Sequence, residues 1–257
     1  MKHPLRTLLL AVCCGLAAAC TQRQERLKLM SYNIRNGIGI DNIQDIDRIA
    51  RVILREAPDL VALQELDSAT LRVDGRYIPG ELGRMTGMHA TFGRAIGFAG
   101  GSYGIGLLSR TEPLAVRSIP LPGREEARVL LMAEFPDYTV CITHLSLTPE
   151  DRLASLPIIR EATDTCRKPV LLAGDFNTGN AAAVLAGLGG GFRILSDTTR
   201  MTFPSDNPAV RIDYILGRGL PTSATVAESA VDHTATASDH CPLWVTLVWK
   251  RGKQPGK

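Results

Sequence analysis

The chain has 257 residues, of which 45% are hydrophobic and 21% are charged. These values are typical of globular proteins and exclude wholesale disorder. Lysine and arginine number 29 against 26 aspartates and glutamates, so that removal of Lys2 and Arg6 with a leader leaves 27 against 26. A near-neutral chain lacks the broad basic face with which proteins grip nucleic acid.

The N-terminus is typical of an export signal. A basic start is followed by a short apolar run over residues 8–19, which is too short to span a bilayer and has the proportions of a signal peptide. It ends in LAAAC at residues 16–20, which resembles the cleavage box of bacterial lipoproteins. We predict a signal peptide over 1–20 and a tether over 21–26. The resemblance implies lipidation of Cys20, and plain secretion is the alternative.

The expected location follows from this signal. A lipidated Cys20 would make the protein a cell-envelope lipoprotein on the periplasmic or surface face, with the lipid as its only membrane contact. After the leader, Cys141, Cys166 and Cys241 remain. Three cysteines cannot all pair within one chain, so buried free thiols are expected instead of a disulfide framework.

The first half of the chain alternates strands and helices. Residues 26–32 predict a strand that ends at Asn33, and Asp45 begins a helix with one apolar face that Pro58 stops. Residues 60–63 predict a buried strand with Glu65 just past its end. A weak helix is expected over 79–87. A strand over 103–109 follows a glycine-rich turn.

The second half is richer in strands, which we predict over 114–121, 129–135 and 138–143. A helix is expected over 149–166, with Pro157 kinking or splitting it. A short strand over 170–173 leads into Gly174 and Asp175. Later strands are predicted over 210–216 and 243–248, and residues 251–257 form a tail.

Polar side chains recur where these apolar strands end, which is where α/β proteins gather function. With two later motifs they form an oxygen-rich set that includes two imidazoles: Asn33, Glu65, His144, Asp175, Asn177, Asp213, Asp239 and His240. Oxygen ligands suit Mg²⁺ first and Mn²⁺ or Ca²⁺ next, while zinc would be expected with cysteines or closely spaced histidines. A hard cation beside imidazoles and amides predicts hydrolysis of a phosphate ester.

The order of these motifs carries a family resemblance. The segments are SYNIRNG (31–37), LVALQELD (60–67), THLSL (143–147), LLAGDFNTG (171–179), RIDYIL (211–216) and ASDHCPL (237–243). Over roughly residues 27–249 the chain resembles the endonuclease/exonuclease/phosphatase superfamily, and we assign the domain to residues 27–250. The resemblance implies a four-layer α/β sandwich, in which two mixed β-sheets pack face to face with helices outside. The active site is then expected at one end of the sandwich.

The resemblance also implies metal and water roles. Glu65 would be the main metal ligand, Asn33 would position metal or phosphate, and Asp239 would support the metal. Asp175 would hold or deprotonate the attacking water. His240 would act as a base or stabilise phosphate charge.

Further roles concern the substrate. Asp213 would orient the imidazole of the base, in line with the way a carboxylate fixes a histidine tautomer. Asn177 would donate to the phosphate, and His144 would bind phosphate or assist the leaving group. Tyr103 and Arg128 match substrate-binding positions of the family. Ile105 stands where many relatives have asparagine.

The substrate is the least determined feature. We predict a metal-dependent phosphoesterase acting on a lipid head group, inositol or nucleotide ester, because the arginines are scattered and loops choose the substrate on a shared core. A secreted non-specific endonuclease acting on DNA is the alternative, and a catalytically silent surface lipoprotein is the second alternative. A monomer is expected.

Overall fold

The computed structural model describes residues 24–250. Two six-stranded sheets face each other, with two helices packed on the outer face of each. This confirms the predicted α/β sandwich of two mixed sheets with helices outside. The predicted signal peptide, the lipidation site Cys20, residues 21–23 of the tether and the tail at 251–257 lie outside the described residues.

The first sheet has the order β11-β12-β1-β2-β4-β3, with β1 parallel to β2 and every other pair antiparallel. Helices α1 and α2 cover it. Its elements are β1 (Gln24–Asn33), α1 (Ile46–Glu56), β2 (Leu60–Ser68), α2 (Ile78–Thr86), β3 (His89–Phe98), β4 (Gly101–Ser109), β11 (Thr225–Val231) and β12 (Leu243–Lys250).

The second sheet repeats this plan with the order β5-β6-β7-β8-β10-β9, and β7 and β8 are its parallel pair. Helices α3 and α4 cover it. Its elements are β5 (Ala115–Leu121), β6 (Arg128–Glu134), β7 (Thr139–His144), α3 (Pro149–Asp164), β8 (Val170–Asp175), α4 (Ala181–Leu188), β9 (Arg193–Ile194) and β10 (Asp213–Arg218).

The two parallel pairs fix where polar residues collect. A parallel pair needs a crossover, here α1 or α3, and both of its strands end at the same edge of the sheet. Asn33 therefore pairs with Gln64, and His144 pairs with Asp175. Asp213 begins the antiparallel strand β10 and also pairs with Asp175. Four strand ends thus converge at one pole of the sandwich.

Alternation along the strands separates three apolar layers. Leu29, Ile142 and Ile215 belong to the central layer between the sheets. Residues one position away, such as Met30 and Tyr214, pack beneath the outer helices. The central layer ends where polar residues replace apolar ones at this same pole.

Helix α3 continues through Pro157, where we expected a kink or a split. It runs unbroken from Pro149 to Asp164, so the expected split is wrong. The missing N–H of Pro157 would have bonded the carbonyl of Leu153, a residue on the solvent side where water can satisfy the carbonyl. Leu156 and Ile159 anchor the helix to the core on both sides of the proline.

Other differences arise where apolar patterning is weak. Strands β3 and β11 and helix α4 were not predicted; the first two are half exposed and lack a clean alternation. The strand expected over 210–216 begins at Asp213, and Val210 forms only an isolated bridge with Phe203. This shift places Asp213 at the strand's first residue.

Cys141, Cys166 and Cys241 are all free thiols, as predicted, and the first and last are buried. None of the helices between residues 24 and 250 combines the length and apolarity that crossing a bilayer requires.

Hydrogen bonds to Glu228 join β11 and β12, and we expect their contribution to stability to be lost in acid. Glu228 accepts hydrogen bonds from the indole of Trp244 and the hydroxyl of Thr246, each at 3.0 Å. The bond from Trp244 lowers the pKa of Glu228 below its usual value near 4.5. A depressed carboxyl pKa stabilises the fold above the unfolded pKa, and this contribution is lost as the pH falls through the folded pKa.

Glu228→Gln should therefore lower the free energy of unfolding by less than about 1 kcal/mol at pH 7, since the group is exposed. The gap from the parent should close as the pH falls below about 4. Urea unfolding at pH 7, 5 and 3 measures it. A gap that is constant over this range would contradict the assignment.

Candidate active site

The pole where the strands end gathers a buried polar cluster. Asn33, Asp175 and Asp213 are each 1% exposed, and His240 is 5% exposed. The three strand residues have the same parity as the central-layer residues on their strands, so they face the space between the sheets. The cluster therefore closes one end of the central layer.

Glu65 reaches this cluster through an irregularity in β2. The register between β2 and β4 shifts between Leu63 and Leu66, so two residues of β2 oppose Ile105 alone. Glu65 has a φ of 58°, which is unusual for a side-chain-bearing residue. The sequence placed Glu65 just past the strand, whereas the structure places it inside β2 at a β-bulge. Such bulges re-aim a side chain beside functional sites.

Asn33 is the centre of the cluster. Its amide nitrogen donates to Glu65 Oε1 at 3.1 Å and to Asp175 Oδ2 at 3.2 Å, and it lies 3.5 Å from His240 Nε2. Its amide oxygen accepts the backbone N–H of Arg35. In this arrangement Asn33 orients two carboxylates as a donor, and its role as a metal ligand stays a prediction.

Asp175 lies between two imidazoles. Its Oδ2 is 3.6 Å from His144 Nε2 and 3.7 Å from His240 Nε2. Its Oδ1 accepts the backbone N–H of Asn177 at 2.8 Å. Burial and the negative charge of Asp213 raise the pKa of Asp175 to about 7. The carboxylate is therefore held at the junction of both sheets, facing the pole.

His240 and Asp213 form a fixed pair. Nδ1 of His240 lies 3.0 Å from Asp213 Oδ2, and the hydroxyl of Thr202 donates to the same oxygen at 2.6 Å. Burial alone would lower the pKa of His240, but the charge of Asp213 and its hydrogen bond raise it to about 10. Nε2 of His240 is thereby presented to Asp175. The structure thus brings together the pair that the family resemblance implied, and the catalytic role of the pair stays a prediction.

His144 and Asn177 form the wall contributed by the second sheet. Burial and the charge of Arg128 lower the pKa of His144 well below its usual range, so its imidazole is neutral at pH 7. The side-chain amide of Asn177 donates to the carbonyl of Leu145 at 2.8 Å. Asn177 has a φ of 51°, which turns the chain sharply after Asp175.

Asp239 lies at the rim, with its side chain 32% exposed and 3.5 Å from Arg35. The preceding Ser238 donates its hydroxyl to the carbonyl of Asn33 at 2.7 Å. This bond ties the loop before β12 to the end of β1. Asp239 and His240 are thus brought to the cluster from the far end of the sequence.

Tyr103 and Arg128 lie beside the cluster from two different strands. They line a small cavity together with Ile105, Glu126 and His144. Burial raises the pKa of Tyr103, so its phenol stays protonated. Arg128 is 7% exposed and bonds Glu126 at 3.0 Å. All residues that the sequence singled out in the domain therefore lie at one pole.

The donor set fits a hard cation. Glu65 and Asp175 offer carboxylate oxygens beside Asn33, Asp239 offers another at the rim, and Asp213 Oδ1 is buried without a hydrogen-bond partner. Ligand atoms of Asp175, Asp213 and His240 also lie within 4.8 Å of one another. The Oδ2 of Asp213 is already engaged by His240 and Thr202, so this second group is better suited to proton handling. Several carboxylate oxygens close together are the ligands that Mg²⁺ and Ca²⁺ prefer.

Sequence reasoning missed Glu125. Its carboxylate, in the turn between β5 and β6, accepts hydrogen bonds from the hydroxyl of Ser146 at 2.7 Å and from the backbone N–H of Leu147 at 2.7 Å. It also accepts from the hydroxyl of Thr148 at 3.1 Å. These donors lie in the loop after β7. The acidic pair before Arg128 in EEAR was the available signal.

Gly174 is required where β8 passes close to β7, just before Asp175. Its φ is 153°, and a Cβ at this position would collide with the carbonyl oxygen of Thr143. Gly174→Ala should lower the free energy of unfolding by about 2–4 kcal/mol. Gly191→Ala, at φ 80° with no atom within 4 Å of an added Cβ, should cost only about 1 kcal/mol. Equal losses in urea unfolding would contradict this account.

Comparison with known proteins gives one family over most of the chain. Residues 30–240 match the model of the Endonuclease/Exonuclease/phosphatase family. Comparison with curated protein sequences gives no match.

Solved structures share the fold. An endonuclease/exonuclease/phosphatase protein from Beutenbergia cavernae has a TM-score of 0.70 and 23% identity, over 88% of this chain and 72% of that one. Mannosyl-6-phosphatase of Bacteroides thetaiotaomicron has a TM-score of 0.69 and 19% identity, over 87% and 100%. D. rerio TDP2, complexed with a single-strand DNA product, has a TM-score of 0.66 and 22% identity, over 86% and 98%. At these identities the similarity concerns the fold.

Proposed function

Because the chain belongs to the endonuclease/exonuclease/phosphatase family, whose members hydrolyse phosphate esters, we propose that it is a divalent-metal-dependent phosphoesterase. The observation that carries the proposal is the amide of Asn33, which joins Glu65, Asp175 and His240 within 3.5 Å. Inactive members of a fold have no need to keep such a buried charged cluster, which costs stability. A catalytically silent binding lipoprotein is therefore the less favoured alternative.

In this proposal each residue of the cluster has its own role in the reaction. Asp175 is fixed by Asn33 and by the backbone of Asn177, so its carboxylate is placed to orient the attacking water or accept its proton. His240, held by Asp213, presents Nε2 toward the same position, where it stabilises phosphate charge or takes part in proton transfer. Neutral His144 and the amide of Asn177 form the opposite wall, and in our proposal they bind phosphoryl oxygens or assist the leaving group.

The proposed cation is Mg²⁺, with Mn²⁺ or Ca²⁺ as substitutes. Glu65 and Asp239 would hold it, with Asn33 fixing the Glu65 carboxylate. When bound, such a cation neutralises a phosphoryl oxygen and the leaving oxygen. Tyr103 and Arg128, at the edge of the cluster, would contact the substrate.

A small phosphate ester is favoured over duplex DNA. Arg72 is bonded to Asp67 and Asn36, and Arg76 is paired with Glu81. Both arginines are exposed, but each is paired with acceptors of the chain itself, which leaves less free positive charge for a DNA backbone. One relative is named for a sugar phosphate and another was solved with a DNA product. Secreted endonuclease action on DNA therefore stays the alternative.

The export signal places this activity outside the cytoplasm in our proposal. The protein would be a monomer anchored through lipid on Cys20, or secreted if Cys20 is not lipidated. Labelling of the full chain with radioactive palmitate, compared with Cys20→Ser, tests this separately from the enzymatic proposal. An equally labelled Cys20→Ser protein would remove the lipid anchor from the account.

A substrate panel tests the function. Residues 21–257 would be assayed with Mg²⁺ against plasmid DNA, bis-p-nitrophenyl phosphate, sugar phosphates, inositol phosphates and sphingomyelin. We expect hydrolysis of a small or lipid-linked ester that stops with EDTA and in His240→Ala. DNA nicking with the same two controls would favour the endonuclease alternative. Metal binding without turnover of any substrate would favour the silent protein.

A further inference from the structure

Glu125 joins two loops that border the candidate active site. It lies in the turn between β5 and β6, and its carboxylate oxygens accept from Ser146, Leu147 and Thr148 in the loop between β7 and α3. A fourth contact comes from Arg128, whose guanidinium lies 3.4 Å from Glu125 Oε1. One carboxylate is thus shared by four donors from two separate segments. Donors on a charged acceptor form the stronger class of hydrogen bond.

The loop that Glu125 holds leads directly into the site. Ser146 is fully buried, and its hydroxyl oxygen also accepts the backbone N–H of Thr148 at 2.9 Å. One residue earlier, Leu145 donates its N–H to the carbonyl of Asp175 at 2.9 Å and accepts the amide of Asn177 at 2.8 Å. Glu125 is therefore linked to Asn177 through the loop, by hydrogen bonds to Ser146 and from Asn177 to Leu145, with the Leu145–Ser146 peptide bond between them.

We infer that Glu125 is a positioning residue, which sets the distance between the Asn177 amide and the Arg128 guanidinium on either side of the phosphate position. The inference rests on the function proposed above. Glu125 contacts neither phosphate nor metal in this role. It acts through Asn177 by way of the loop, and through Arg128 by direct contact.

The hydrogen bonds outweigh desolvation at this carboxylate. Partial burial alone would raise the pKa of Glu125, but the bonds from Ser146, Leu147 and Thr148 lower it to about 2. Glu125 is therefore ionised throughout the pH range in which a phosphoesterase would be assayed. Assays near neutral pH thus report its geometry without interference from its own titration.

If Glu125 acted only through its negative charge, its removal would change KM in the opposite direction. Removing a negative charge beside Arg128 should strengthen phosphate binding and lower KM. Loss of a positioning contact should raise KM, because Asn177 and Arg128 bind phosphate before the chemical step. Glu126 provides the matched control, since it accepts from the other terminal nitrogen of Arg128 at 3.0 Å and, within residues 24–250, makes no side-chain hydrogen bond to the loop after β7.

The experiment compares kinetics of the full domain for four proteins: the parent, Glu125→Ala, Glu125→Gln and Glu126→Gln. We expect Glu125→Ala to raise KM about tenfold with kcat within about threefold, the size of one lost charge-assisted hydrogen bond. Glu125→Gln, which keeps an acceptor oxygen, should recover part of the loss. Glu126→Gln should leave KM unchanged or lower it. An unchanged or lowered KM in Glu125→Ala would overturn the inference.

A double-mutant cycle separates positioning from general destabilisation. If Glu125 acts through Asn177, the effect of Glu125→Ala on KM should shrink to less than about threefold in an Asn177→Ala background. Equal effects in both backgrounds would overturn action through Asn177. Glu228→Ala, which removes a carboxylate with two donors elsewhere in the fold, should leave KM unchanged at a similar loss in Tm.

A binding measurement keeps this test independent of turnover. If the parent hydrolyses nothing in the panel, the proposed function fails, whereas inorganic phosphate still reports on the site. We then expect calorimetry to show about tenfold weaker binding of inorganic phosphate to Glu125→Ala than to the parent. Equal affinities, or no phosphate binding to the parent, would overturn the positioning role.

Discussion

Replacing Glu65 with glutamine is expected to lower kcat/KM for phosphate-ester hydrolysis by about a thousandfold, which is the size of several kcal/mol of lost charge stabilisation. The fold should be retained, because Glu65 lies at the pole and its side chain accepts one hydrogen bond within residues 24–250, from Asn33. Glutamine keeps the shape of the side chain and removes the charge that the proposed cation needs. Activity and Mg²⁺ affinity should therefore fall together.

The measurement pairs steady-state kinetics with calorimetric titration of Mg²⁺ into parent and variant. Glu81→Gln is a suitable control. Glu81, on helix α2, pairs with Arg76 and lies outside the cluster. It should leave both kcat/KM and metal affinity unchanged. If Glu65→Gln keeps parental turnover, the metal assignment at the bulge is wrong. If it loses turnover at unchanged Mg²⁺ affinity, Glu65 acts on the substrate instead.

The strands that carry the site were predictable from local pattern. Residues 26–32, 138–143 and 170–173 are apolar runs that end abruptly in a polar residue, and each became a strand ending at the same pole. Parallel pairing then brings His144 beside Asp175 within the second sheet, whereas Asn33 reaches Asp175 only through the packing of the two sheets. The position of Asn33, His144 and Asp175 at this pole thus follows from where the predicted strands stop.

The remaining geometry depends on contacts between distant segments. Nothing local in LQELD shows that the strand continues past Glu65 with a bulge, because the bulge is set by its register with Gly104 and Gly106 of β4. Nor does the spacing of 27 residues between Asp213 and His240 reveal a 3.0 Å contact. Only the motif order suggested that pair, through the family resemblance.

Edge elements were missed for a related reason. Strand β3 is half exposed and includes Gly93 and Gly97, so neither alternation nor β-propensity marks it. It is stabilised by pairing with β4 along its length.

Glu125 was missed because its partners lie 21 to 23 residues away in a loop. A surface glutamate in sequence gives no sign of such partners.

The cluster also shows how the fold accommodates like charges. Asp175 and Asp213 pair directly across β8 and β10, and both are buried. Two carboxylates so close repel each other, which is why the negative charge of Asp213 helps raise the pKa of Asp175. His240 compensates from the other side, since its own pKa is raised to about 10 by the same carboxylates. These buried charges lower the stability of the fold, but they also hold the charged side chains in a fixed orientation.

Replacing Asp213 with asparagine is expected to lower activity far more than stability. The variant removes the charge that orients and stabilises protonated His240, so kcat/KM should fall by about a hundredfold to ten-thousandfold. It also removes the repulsion with Asp175 and replaces a buried charge whose Oδ1 has no partner. The Tm measured in EDTA should therefore stay close to that of the parent, because relief of the repulsion with Asp175 offsets the loss of the ion pair with His240.

Kinetics and thermal unfolding of the same preparations distinguish this from a structural role. A structural aspartate would lose Tm and activity together, whereas an orienting aspartate loses activity alone. The double variant Asp213→Asn/His240→Ala should be no less active than His240→Ala, because the aspartate acts through the histidine. Additive losses in the double variant would show that Asp213 has a separate role. Parental turnover in Asp213→Asn would remove the pair from the mechanism and leave Asp175 as the group that activates water.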